Sequence, residues 1–104
     1  LSNLRELEFV ARWDQFAWIA GTTRYNVMGQ GATLKEAIDS LLLCLESCVV
    51  WARQEGREPF YKDPGPIDEF RSAKDCLPLR EGIREPQRSR RYTGNVILDM
   101  NVKR

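Results

Sequence analysis

A chain of 104 residues with 42% apolar side chains is one ordinary domain with a modest core. Its 16 Lys and Arg against 15 Asp and Glu leave a net charge of +1, which excludes a uniformly basic nucleic-acid coat and an acidic mimic. Histidine is absent, and with it go His-based acid–base catalysis, Ser-His-Asp and Cys-His nucleophiles, and the commonest zinc ligand.

Residues 4–13 alternate, with Leu7, Phe9, Ala11 and Trp13 on one face and Glu6, Glu8, Val10 and Arg12 on the other, as a half-buried strand does. Asp14 and Gln15 form a polar break, and the apolar run 16–20, from Phe16 to Ala20, is expected to pair back as a hairpin. Residues 21–24 read as a turn and 25–28 as a third short strand, closed by Gly29 and Gly31 in a tight turn towards a helix.

Thr33 followed by Glu36 is a capping box: the hydroxyl accepts from the Glu36 amide, and the carboxylate reaches back to the N–H of the cap. No Gly or Pro follows until Gly56, so the spacing predicts one long helix over 33–55. Ile38, Leu41, Leu42, Leu45, Cys48, Val49 and Ala52 repeat at helical spacing, and Leu41, Leu45 and Val49 are expected to cover Phe9, Trp13 or Trp18. Leu43 and Val50 fall inside the polar stripe of Lys35, Glu36, Asp39, Glu46, Ser47, Arg53 and Gln54. One sheet face cannot bury both sides of a helix, so Leu43, Val50 and Trp51 are candidates for a partner or subunit contact.

Pro59, Pro64 and Pro66 forbid regular helix after residue 57, and Pro66 could open a short helix over 67–76. Residues 80–91 are an Arg-rich linker, and 95–102 alternate as a further strand with Val96, Leu98, Met100 and Val102 on one face. That strand must pair with a sheet edge, its own or a neighbour's, which makes Val96, Leu98 and Met100 further interface candidates and allows its exchange between protomers. Charge is divided: residues 1–79 hold 9 basic and 12 acidic side chains, residues 80–104 hold 7 and 3. The acidic body suits a basic partner. Arg84, Arg88, Arg90 and Arg91 with Tyr92 are the candidate nucleic-acid contacts, of the salt-sensitive, sequence-blind kind.

Cys44 and Cys48 lie four apart on the apolar arc and read as small buried hydrophobes; with Cys76 they are too few for a disulfide framework or a zinc site. Glu6, Glu8 and Asp14 lack the further acids that a two-metal nuclease needs. No catalytic residue, metal or cofactor is expected. No run of 18 apolar residues and no signal pattern is present, so a cytoplasmic protein is expected. The sequence opens at Leu1 without an initiator Met, as a fragment or processed chain does.

The stretch Gln30-Gly31-Ala32-Thr33-Leu34-Lys35-Glu36-Ala37 resembles the opening of the helix in HicB-like antitoxin domains, and Glu55-Gly56-Arg57-Glu58-Pro59 resembles the exit from it. The likeness covers residues 4–60. Thr22-Thr23-Arg24-Tyr25-Asn26 stands where the family usually has a Leu-Pro-Gly-Cys turn. The resemblance implies a partial ribonuclease-H-like domain without catalysis that binds and blocks a small messenger-ribonuclease toxin. Many such domains add a helix-turn-helix or ribbon-helix-helix module; were 95–102 that ribbon, its helices would lie beyond Arg104.

The expected architecture is α+β, in β-β-β-α-β order. One long helix covers a three- to four-stranded antiparallel sheet, residues 1–60 form the domain and 61–104 an extension. The expected function is protein interaction of the antitoxin kind, with self-association. The alternatives are a nucleic-acid adaptor using segment 80–92 and a homo-oligomeric structural domain.

Overall fold

The alternation at the start of the chain becomes strand β1 (Leu4–Trp13), and the Asp14–Gln15 break reverses it into β2 (Trp18–Thr22). Here and throughout, the protein is described by a computed structural model over residues 3–80 and 86–103. Strand β3 (Met28–Gly31) lies three residues later than expected, so Gly29 and Gly31 belong to the strand and do not close it. They have no positive φ; a Cβ on Gly29 would stand 2.1 Å from the Leu41 amide nitrogen, and one on Gly31 2.7 Å from that of Ala37. Both glycines let the helix backbone lie directly on the strand.

Helix α1 (Leu34–Gln54) has Thr33 as its N-cap, whose Oγ1 accepts from the Glu36 amide at 3.1 Å. The Glu36 carboxylate reaches one residue further back than the capping box predicts and accepts from the Ala32 amide at 2.9 Å. At the other end Gly56, at φ 69°, donates to Arg53 O, and Arg57 donates to Ala52 O. These two bonds are a Schellman closure, which the missing Cβ of Gly56 allows.

After the helix, Pro-rich backbone yields only a 3-10 turn (Asp68–Phe70), shorter than the expected helix, and then β4 (Leu77–Pro78), which the sequence did not suggest. Strand β5 (Tyr92–Asp99) starts three residues before the predicted one. The sheet order is β3-β2-β1-β5-β4, antiparallel throughout except for β4 beside β5. The sheet therefore runs across the expected boundary at residue 60, with β5 hydrogen-bonded to β1 of its own chain.

Leu7, Phe9 and Ala11 of β1, Trp18 and Ala20 of β2, and Tyr92, Val96 and Leu98 of β5 are buried on one face of the sheet beneath Leu41, Leu45 and Val49. Trp13 packs at the border of this core. Each large side chain buried there contributes roughly 1.5–3 kcal/mol. The opposite face has a second, smaller seal: the Phe70 ring lies 2.7 Å from where a Cβ of Gly21 would be, and Val10 is fully buried. Among the described residues no helix is long and apolar enough to cross a membrane.

Candidate protein-interaction surfaces

The outer face of the sheet is divided in two. Its upper half is closed by the 3-10 turn, where Arg12 grips Glu69 through two bonds of 2.6 and 3.0 Å and Phe70 covers Gly21. Val10 and Arg12, expected to face solvent, are covered there because residues some sixty positions later fold over them. The lower half is open. Register sets Glu6 opposite Ile97, Glu8 opposite Asn95 and Leu4 opposite Asp99, all pointing away from the helix. Ile97 is 51% exposed, and Leu4 is more so.

The hairpin tip presents a side chain that sequence periodicity misplaces. Phe16, expected inside the second strand, lies in the β1–β2 turn and is 86% exposed. The Asp14 carboxylate accepts from the amides of Phe16 and Ala17 at 3.2 and 3.0 Å, and Gln15 takes φ 90°. The short Asp side chain, a frequent turn former, was the available signal.

The outer side of α1 carries Leu43, Cys44, Ser47, Val50 and Trp51. Leu43 is 56% and Trp51 54% exposed; Val50 is half-buried. Cys44 is exposed, against expectation, because the helix leans on β3 and β2 and turns that position outward. Cys48 is half-buried, and burial with the neighbouring Cys44 raises its thiol pKa. The Arg57 guanidinium stacks 4.0 Å over Trp51. It divides two shallow hollows of about 170 and 180 Å³, one lined by Cys48, Trp51, Phe60, Tyr61 and Asp63, the other by Val49, Arg53, Pro59 and Met100. The loop behind them is anchored: Phe60 stacks on Tyr25 at 3.9 Å, and Asp63 accepts from the Asn26 amide.

The candidate interface on the C-terminal strand does not survive as an outward face. Val96 and Leu98 are buried in the chain's own core, and Met100 packs against it, because β5 lies inside the sheet with that face under α1. The basic segment is also partly spent within the fold. Arg84 lies outside the described residues. Tyr92 is buried beside Trp18, with its hydroxyl accepting from the Gln87 amide at 2.8 Å. Arg91 donates to the Glu69 carbonyl, and its Nε is buried. Arg88 stacks 3.9 Å from the Trp13 ring centroid, and Arg88 and Arg90 are exposed, as is Arg80 at the start of the segment.

Among the described residues no group of three or more Cys, Asp or Glu could hold a metal ion. No family model, curated protein or solved structure matches the chain.

Proposed function

We propose that the chain is a non-catalytic interaction domain that acts as the antitoxin of a toxin–antitoxin pair, covering a small basic ribonuclease in the cytoplasm. One observation carries this reading: the open half of the sheet sets Glu6, Glu8 and Asp99 around Leu4 and Ile97. No basic residue of β1 or β5 points to that half. Carboxylates around exposed apolar side chains attract and then desolvate against a basic surface. The resemblance over residues 4–60 supplies the class of partner, and Phe16 on its pinned turn offers a second contact.

The test titrates the chain with the product of a small lysine-rich reading frame adjacent to its own. Binding should silence that product's ribonuclease activity, and Glu6→Lys with Glu8→Lys should weaken binding at least about tenfold, or 1.4 kcal/mol. Equal affinity for the charge-reversed chain rejects the sheet face as the site.

A second reading, a nucleic-acid adaptor, draws on exposed Arg90 and on Arg88, which stacks on Trp13. It requires RNA or DNA binding that falls steeply with salt and is lost in the Arg88→Ala, Arg90→Ala double variant.

A further inference from the structure

Cys44 and Cys48 are one helical turn apart on α1, which sets their Cβ atoms about 5–6 Å apart on the same side. Neither is in a disulfide; Cys44 is exposed and Cys48 half-buried, so both sulfurs lie where a small ion can reach them. A straight sulfur–metal–sulfur bridge, at the roughly 2.3 Å of a metal–thiolate bond, spans about 4.6 Å and fits that gap. We infer that Cys44 and Cys48 form a two-thiolate site for a soft, two-coordinate monovalent cation, of which Cu(I) is the biological case.

The donor set chooses the ion. Two sulfurs are half of what tetrahedral zinc requires, and among the described residues no third Cys, Asp or Glu joins them in a metal-holding group. Cu(I) is satisfied by two donors and prefers thiolates for their softness. Cys48 lines the hollow of about 170 Å³ together with Trp51, Arg57, Tyr61 and Asp63. Arg57 and Asp63 face it with opposite charge, so softness and not field selects the ion, and the two rings give it an apolar border. Burial first, and then the nearness of Cys44 and Asp63, raise the Cys48 thiol above its ordinary value, so it is protonated until the metal enters. Binding then forms two Cu–S bonds and releases the proton of each thiol to solvent, with no change in oxidation state.

Titration of the whole reduced chain with Cu(I), under nitrogen and against millimolar glutathione, tests this. One ion per chain is expected to be retained, with thiolate-to-copper absorption in the ultraviolet and two sulfur neighbours by X-ray absorption. Joining two donors on one helix raises affinity by about 10²–10⁴ over either alone, so Cys44→Ser or Cys48→Ser should each weaken retention at least about a hundredfold. Cys76→Ser should leave it unchanged. Cys44→Ser keeps the fold readable, because that position is exposed and its circular dichroism spectrum should match the wild type. Loss of copper to glutathione by the wild-type chain overturns the inference, as does retention by Cys44→Ser or loss in Cys76→Ser. A copper-dependent dimer in sedimentation velocity also overturns it, since the ion would then bridge two chains. The acidic face of the sheet is untouched by these variants, so binding of a basic partner there is read separately.

Discussion

Asp14 shows how one short side chain sets a local structure that periodicity misses. Its carboxylate is held below its ordinary value of 3.8, first by the hydrogen bond from the Phe16 amide and then by that from Ala17. A lowered carboxyl pKa stabilises the fold above the unfolded value, and that contribution is lost as the pH falls through the folded one. The gap in melting temperature between the wild-type chain and Asp14→Asn should therefore be widest above pH ~4 and shrink on further acidification. Thermal melts at successive pH values check this, and a constant gap refutes it. The same two hydrogen bonds take Phe16 out of the strand to which its neighbours Trp18 and Ala20 belong. Sequence spacing could show the apolar run, but not which of its members the turn would claim. Val10 teaches the reverse: it is fully buried beside its register partner Gly21, which Phe70 covers, and no local pattern predicts a cover that comes from some fifty residues further along.

Among the elements, α1 was almost wholly legible, because its start at Thr33 and Glu36, its stop at Gly56 and its apolar spacing are all local signals. Its seat on the sheet was not. Gly29 and Gly31 read as turn residues, whereas their role is to admit the helix backbone, a contact that exists only once strand and helix meet. Gly29→Ala has no room, since the new Cβ would strike helix backbone and not a movable side chain. Overpacking of that kind costs about 1–3 kcal/mol or more, and denaturant titration should show a loss in that range. By comparison, Thr33→Ala removes one cap bond and should cost about 1 kcal/mol. A Gly29→Ala chain as stable as the wild type would mean that the helix is not seated as described. Strand β4 and the start of β5 escaped the sequence because their partners are distant and a two-residue strand has no period to read.

For the whole molecule, the α+β class and the helix-on-sheet layering followed from the pattern, while the position of β5 did not. A strand after an Arg-rich linker reads as an appendage, yet it lies between β1 and β4, and Val96 and Leu98 complete the core. Arg53 ties its far end to the helix by donating to the carbonyls of Val102 and Met100. A chain cut after residue 91 loses the pairing of Leu4–Ala11 with Tyr92–Asp99 and bares the core side of β1. It should show no cooperative thermal transition, whereas a fragment that still melts cooperatively would mean that the first three strands and helix stand alone. The candidate surfaces divide in the same way. The exposure of Leu43 on α1 was legible, because an apolar residue in a polar stripe is a local anomaly. The open acidic half of the sheet needed the register of β1 with β5, which fixes the residues around Ile97.

That register also bears on how the protein is made. Leu4 pairs with Asp99, so β1 leaves the ribosome long before the strand that will flank it. Until then one edge of β1 offers unpaired amides and carbonyls to any other extended chain. Closing so large a loop is slow, and crowded synthesis lengthens the exposure to wrong partners. The alternating charges Arg5, Glu6 and Glu8 on β1 thus also serve before folding ends, as guards on an edge that is buried only in the finished molecule.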